Sequence, residues 1–503
     1  MTRTLVTGLL PLLVACSAAP AAAAGATPLT GCEALVHVAL SGARVTATEP
    51  LAAGAGVPAP AGAITLERRV CRVTIVATPA AGSRIGIELW LPDPQAWNDR
   101  FWGLGSGGFA GSVAHARLAE GTAAGYAVVS TDGGNDTPGS TAWARGAPER
   151  VADLGHRAVH LAAVHGKRVT EAYYGRPPRF AYFSGFSTGG TQGLMLAQRH
   201  PDDYDGILAG AGDQDWTKLY LGLARFQFRW LPDSAHHVSR AQLEALQAAA
   251  LATCGAGTEG VVEAPERCQA EDVIRAYRPS AAAPPLTAKQ RQSLRALYSG
   301  SFDGSGRPTP FGYVPGTEAS WSGTHFGPEP GTAPLRAYFL TFFRDFVYAD
   351  ITWTDAAFDP VRTGADTERV LARDFDATDP DIRAFLRRGG RLLLWHGWSD
   401  HLVPPGLTVH YHRRVAATVG PAASGRGVRR FMAPGVGHGA SGPGATQFGQ
   451  FAFGDGDAGR SLAAALQRWV EDGRPPACIV AARHATPSDP RSALVGTRRI
   501  CAS

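Results

Sequence analysis

The sequence predicts an α/β fold, a mostly parallel sheet covered by helices and interrupted by one large inserted domain. Two observations carry this. A hairpin-like alternating run at residues 70–91 gives way to strand–helix alternation as far as residue 210, the pattern that builds a parallel sheet with helices on its faces. The alternation stops near Asp213 and strand signals resume at Gly390. The economical reading is one core split by an insertion of about 165 residues.

The elements follow in order. Residues 25–66 are rich in Ala, Gly and Pro, and their first part is expected to be a linker. Val70–Ala77 and Arg84–Leu91 alternate around Pro79-Ala80-Ala81-Gly82 and read as a hairpin. Phe101–Leu104 is a short strand running into Gly105-Ser106-Gly107-Gly108-Phe109-Ala110-Gly111. Tyr126–Thr131 is another strand, and residues 151–174 carry helical spacing. Arg179–Phe183 is an apolar run that breaks into Gly185-Phe186-Ser187-Thr188-Gly189 and then a helix-like segment. Gly206–Gly210 reads as a strand. Within the insertion, helices are expected at Ser239–Thr253, Thr287–Leu297 and Leu335–Tyr348. Strands return at Gly390–Gly397 and Val428–Met432, separated by a helix at Leu407–Val419, and an amphipathic helix closes the pattern at Ser461–Asp472. The expected division is a signal segment at 1–24, core at 25–212, inserted domain at 213–380 and core again at 381–503.

Hydrophobic residues make up 45% and charged residues 18% of the 503, which fits a globular soluble protein. Arginine is scattered and the net charge is +5, so a nucleic-acid partner is not expected. Arg3 followed by the apolar stretch Leu5–Ala15 reads as an export signal, too short to span a membrane. Leu13-Val14-Ala15-Cys16 has the form of a lipobox, which would make Cys16 a lipid anchor at a membrane. Cleavage after Ala22-Ala23-Ala24 is the alternative. Without Cys16 six cysteines remain, an even number that an exported protein pairs. Six allow fifteen connectivities; neighbour pairing would give Cys32–Cys71, Cys254–Cys268 and Cys478–Cys501. No Cys/His cluster suggests zinc, and no protein partner is expected.

Strand, glycine-flanked turn and helix form the context of a nucleophile elbow, so Ser187 is the candidate nucleophile. A serine needs a base, an acid to orient it and donors for an oxyanion, in the chain order Ser, Asp or Glu, His. Asp400 follows the Leu392–His396 strand, where open α/β sheets place their sites. His438 lies in the glycine-rich loop Ala433–Gly439 after the next strand. His396 and His401 compete for the base role; His396 falls inside a strand and His401 does not fit the order. The oxyanion donors would be the backbone N–H of Thr188 and of Gly107 or Gly108. A phosphate-binding reading of that glycine loop lacks the Lys-Ser/Thr and acidic residue it needs.

These residues resemble the tannase/feruloyl esterase family. The resemblance is carried by Gly185-Phe186-Ser187-Thr188-Gly189-Gly190-Thr191-Gln192-Gly193, by Asp203-Tyr204-Asp205-Gly206, by His396-Gly397-Trp398-Ser399-Asp400 and by Gly437-His438. It extends to Gly105–Gly111 and Ser130-Thr131-Asp132. It implies an α/β-hydrolase core with a lid inserted between the nucleophile and acid strands, and a Ser187–Asp400–His438 triad. It also implies hydrolysis of small-molecule esters of aromatic acids, of gallate, hydroxycinnamate or mono(2-hydroxyethyl) terephthalate type.

Two departures stand out. The family's cysteines beside the serine and the histidine, normally joined, are here Phe186 and Gly439, so the Phe186 ring is expected to pack over Gly439. The family's Asp-rich calcium loop corresponds to Cys254–Glu263, where the early acids are gone; no cofactor and no calcium are expected. Aromatic candidates for the pocket are Trp216, Phe226, Trp230, Phe339, Phe342, Phe343, Phe346, Trp353 and Trp398. Tyr338, Phe342 and Phe346 share a helical spacing that also suits a core. Arg344 or Arg336 is the candidate partner for a substrate carboxylate. The expected function is an exported serine carboxylic-ester hydrolase. An exported peptidase on the same core and a catalytically inactive binding protein are the alternatives.

Overall fold

The computed structural model describes Met1 and residues 31–59, 62–257, 259–300 and 312–503. The signal segment and Cys16 lie outside the described residues. Among the described residues thirteen strands follow one another: β1 (Ala43–Leu51), β2 (Gly56–Val57), β3 (Ile64–Thr65), β4 (Val70–Ala77), β5 (Ile85–Pro92), β6 (Arg100–Leu104), β7 (Ala127–Thr131), β8 (Phe180–Phe186), β9 (Gly206–Gly210), β10 (Arg391–Gly397), β11 (Val428–Ala433), β12 (Cys478–His484) and β13 (Leu494–Cys501). Nine of them form one sheet in the order β1-β4-β5-β7-β6-β8-β9-β10-β11. The first three pairings are antiparallel and the rest parallel.

The inner strands read as apolar runs because both faces are covered. Every residue of β7 and β9 is buried, as parallel strands between helical layers require. One layer packs Phe101, Phe183, Met195 and Ile207 together, the other Trp102, Tyr182, Trp395 and Trp469.

Two regions correct the sequence reading. The stretch expected to begin as a linker contains β1, which pairs antiparallel with β4, and a helical turn at Glu33–His37. The strand is hard to read because it is an edge: only Val45 of its nine residues is buried, and the alternation Ala43-Arg44-Val45-Thr46-Ala47 carries a single bulky apolar side chain. The end of the chain holds a second missed pair, β12 with β13, in which Cys478 stands directly opposite Cys501. Disulfides join Cys32–Cys71, Cys254–Cys268 and Cys478–Cys501.

Between β9 and β10 the described residues of 211–390 lie outside the sheet and are mainly helical. Its helices build their own cluster around Trp216, Phe342, Phe343 and Phe358. That cluster is tied to the sheet side by the buried Asp345, which accepts from Thr141 (2.5 Å) and pairs with Arg145 at 2.6 Å.

Strand β6 has β7 on one side and β8 on the other, so the chain crosses in opposite directions from it. A crevice opens at such a switch point at the carboxyl ends of the strands. Here the loop after β6 meets the turn after β8 through glycine backbones. A Cβ on Gly189 would lie 2.8 Å from the Ser106 carbonyl oxygen, and one on Gly185 would overlap the Gly189 carbonyl. Backbone cannot yield as a side chain would. Gly185→Ala is expected to cost about 3 kcal/mol or more, read as a lower melting temperature by circular dichroism; an unchanged melt would contradict this packing.

Candidate active site

Ser187 sits between β8 and the helix Thr188–Arg199 with φ 58° and ψ −124°. That conformation is costly for a residue with a Cβ, and it persists only where the surroundings impose it. Its backbone N–H donates to the Gly210 carbonyl (2.9 Å), which locks the turn to β9. The helix beyond it begins with N–H groups that have no partner within the helix. Thr188 Oγ1 donates to the Gly108 carbonyl at 2.9 Å. This bond ties the turn to the glycine loop and sets Gly108, itself at φ +52°, beside Ser187 in one cavity.

Asp400 lies three residues beyond β10 and is fully buried. Its Oδ1 accepts the N–H groups of Leu402 and Val403, each at 2.9 Å. Its Oδ2 accepts from His438 Nδ1 at 2.8 Å and faces His396 Nε2 at 3.3 Å. Burial opposes the charged carboxylate, but the two histidines outweigh it and hold Asp400 far below the usual carboxylate range. His438 is the mirror case: burial disfavours its cation, yet Asp400, and further off Asp213, raise its pKa above the ordinary histidine value. With Nδ1 turned to Asp400, the free ring nitrogen is Nε2.

His396, a competitor for the base role, has both nitrogens engaged. Nδ1 meets Thr408 Oγ1 at 2.8 Å and Nε2 meets the Val403 carbonyl at 3.1 Å. It buttresses Asp400 from inside β10. Asp132 accepts the backbone N–H groups of Gly86 and Gly134 and so ties the loop after β7 to β5.

The Phe186 ring packs at 4.5 Å from the His438 ring and stacks on Trp395 at 5.3 Å. A Cβ on Gly439 would lie 4.0 Å from Phe186 Cε1, so Phe186 reaches Gly439 as well as the imidazole.

The cavity, about 300 Å³, is lined by Gly108, Ser187, Thr188 and His438 together with Asp213, Leu219, Tyr220, Leu223, Leu335, Tyr338, Phe339, Leu402 and Val403. Several expected substrate contacts are elsewhere. Phe342 and Phe346 stack on each other inside the helical cluster, where Phe342 also stacks on Phe109 and Phe346 lies tilted against it. Trp216, Phe226, Trp230, Phe343 and Trp353 belong to or pack against the same cluster. Arg344 donates to the Trp353 carbonyl at 2.7 Å, and Arg336 pairs with Asp355. Trp398 lines a different recess, with Cys268 and Tyr298. Of the aromatic candidates, Phe339 reaches the cavity, as does Tyr338. Asp213 and Tyr220 were not foreseen; a carboxylate three residues beyond a strand at its carboxyl end was the available signal.

The loop where the family resemblance implies a calcium site does not fit that ion. Its carboxylates Glu259 and Glu263 both pair with Arg498, Glu259 at 2.7 Å. A guanidinium supplies the positive charge, and two carboxylates fall short of calcium's six to eight oxygens.

A mostly parallel sheet with a strained serine turn, and a buried Asp–His pair at the same edge, defines an α/β-hydrolase. The chain belongs to the tannase and feruloyl esterase family, whose model matches residues 71–502, and it is a carboxylic ester hydrolase. It is 32% identical to an esterase of Xanthomonas campestris pv. campestris over 98% of this chain and 91% of that one. It is 29% identical to a probable feruloyl esterase B of Aspergillus clavatus over 94% and 91%. The crystal structure of feruloyl esterase B from Aspergillus oryzae superposes with a TM-score of 0.83 at 25% identity, covering 94% of this chain and 95% of that one.

An imidazole that must be neutral to take a proton loses that capacity as pH falls through its pKa. Because the His438 pKa is raised, the acidic limb of kcat/KM is expected above pH 6.5, the ordinary histidine value. Asp400→Asn is expected to lower kcat by about 10⁴-fold and to move the limb down. A wild-type limb at or below 6.5 in a pH–rate profile would contradict the Asp400–His438 coupling.

Proposed function

We propose that the chain is an exported serine hydrolase of aromatic-acid esters, working through an acyl-enzyme. The observation that carries this is the fully buried Asp400 bonded to His438 Nδ1 at 2.8 Å, with Ser187 in the same cavity. His438 Nε2 takes the Ser187 proton as the hydroxyl attacks the ester carbonyl. Asp400 holds the tautomer and steadies the imidazolium. The N–H groups of Thr188 and of Gly107 or Gly108 bind the oxyanion, the alcohol leaves with the proton from His438, and water repeats the sequence. Residues 213–380 act as a lid; Leu219, Tyr220, Leu335, Tyr338 and Phe339 from this stretch wall the cavity, which supports that role. The family's feruloyl esterases support an aromatic acyl group.

A fluorophosphonate probe is expected to label the wild type and not Ser187→Ala, which also loses turnover of methyl gallate, methyl ferulate and p-nitrophenyl esters by at least about 10³-fold. Labelling that survives in Ser187→Ala would remove Ser187 from the mechanism. Faster cleavage of aminoacyl amides than of esters would assign the chain to peptide chemistry.

Three disulfides support export, since such bonds persist in oxidising compartments. Lipid attachment at Cys16 belongs to the same proposal and rests on the Leu13–Cys16 segment. Palmitate labelling of the expressed wild type that disappears in Cys16→Ala is expected, and an unlabelled wild type would leave cleavage after Ala24.

A further inference from the structure

The mechanism leaves one cluster in the cavity without a task. Asp213 follows β9 and is buried; its Oδ1 accepts from Thr191 Oγ1 at 2.8 Å. Tyr220 directs its hydroxyl to Asp213 Oδ2 at 3.4 Å, and the Tyr220 and Tyr338 oxygens are 2.8 Å apart. All three residues line the cavity that holds Ser187 and His438, and Leu219, Leu223, Leu335 and Phe339 make the wall around them apolar. Tyr338 is held from behind by Phe109, stacked at 5.0 Å, the residue after Gly108.

The direction of the hydrogen bonds follows from counting protons. Each phenol has one hydrogen to give, and a carboxylate only accepts. Tyr220 spends its hydrogen on Asp213, and Tyr338 then spends its hydrogen on Tyr220. The Tyr338 oxygen keeps lone pairs free to accept, on a residue that lines the cavity. Burial raises the pKa of both phenols, so they keep their protons. Burial also raises the pKa of Asp213, against the Thr191 bond, the indole N–H of Trp216 and the charge of His438; the subsite proposed below has Asp213 as the carboxylate. The polar end of this apolar cavity is therefore an acceptor. A buried acceptor facing an ether or a bare ring goes unsatisfied, and a ligand carboxylate would place two like charges in one low-dielectric space.

We propose that Asp213, Tyr220 and Tyr338 form an acyl-group subsite that selects a neutral aromatic ring bearing a hydroxyl donor and disfavours an acyl group with a carboxylate of its own. The subsite rests on the reading of Ser187 as the nucleophile of an aromatic-acid esterase. Among the three acyl types the sequence left open, it favours the phenolic ones over the terephthalate monoester.

The test is kcat/KM at pH 8 for methyl 4-hydroxycinnamate, methyl cinnamate, methyl 4-methoxycinnamate and monomethyl terephthalate. Methanol is too small to fill the cavity, so only the acyl group varies. The wild type is expected to favour the hydroxylated ester over the unsubstituted and methoxy esters by about tenfold, with monomethyl terephthalate the poorest. In Tyr338→Phe, which keeps the ring and its stack on Phe109, the ratio of hydroxylated to unsubstituted ester falls to about 1. Tyr220→Phe frees the Tyr338 hydrogen to donate to an ether oxygen, so the ratio of hydroxylated to methoxy ester falls to about 1, and this variant carries the test if Tyr338→Phe does not fold. Asp213→Asn raises monomethyl terephthalate relative to methyl cinnamate by about tenfold. Preference over the unsubstituted ester that survives Tyr338→Phe, preference over the methoxy ester that survives Tyr220→Phe, or a wild type that handles monomethyl terephthalate as well as the hydroxylated ester, overturns the subsite. A flat acyl profile with intact fluorophosphonate labelling of Ser187 overturns the subsite alone. Absence of both labelling and ester turnover overturns the subsite and the esterase mechanism together.

Discussion

A carboxylate with no access to water can stay charged only if donors replace the water, and Asp400 is built around that requirement. Two backbone N–H groups, His438 and His396 converge on its two oxygens. Everything that brings those donors together is fold. β10 supplies His396 and ends just before the turn whose N–H groups face Oδ1, and the loop after β11 supplies His438. Removing one donor would leave a buried charge undercompensated, which costs more than a surface ion pair contributes. The geometry is therefore self-limiting: the pair is right or the loops do not close.

The same logic explains which parts of the molecule could be read from sequence. Ser187 could be singled out because the turn needs glycine on both sides, and glycine is visible in a sequence. Asp400 and His438 could be singled out because chain order along a parallel sheet fixes which loops share an edge. β1 could not, because this edge strand buries one side chain and leaves the other eight exposed or half-buried. The helix Pro334–Phe342 shows the limit most clearly. Tyr338 and Phe342 are one turn apart, so spacing puts them on one face, yet Tyr338 reaches the cavity and Phe342 the aromatic cluster behind it. The boundary between pocket and core falls within that turn, set by Phe109 arriving from the glycine loop. No periodicity within one helix encodes where a distant loop will press. Asp213 was invisible for a related reason: a carboxylate after a strand looks the same whether it closes a turn or faces a cavity.

The helical segment and the sheet are coupled through a few polar anchors as well as apolar packing. Asp345 accepts from Thr141 and Arg145, and Asp376 accepts both the backbone N–H and the hydroxyl of Thr217. Burial raises the Asp376 pKa to about 7, with the nearby Asp215 adding to it. Asp345 joins the excursion to residues 141–145 on the sheet side, and Asp376 ties the end of the excursion to its start. The wall residues thus keep their register against Ser187 although they lie far from it in sequence.

Phe186 has a consequence outside geometry. Where the family resemblance implies a sulfur–sulfur link between the serine turn and the histidine loop, this chain has an aromatic ring against His438, Trp395 and Phe451. The three disulfides present involve none of the residues lining the cavity. The junction between serine and histidine is therefore held without sulfur: no thiol at the junction itself must be oxidised before the two loops meet.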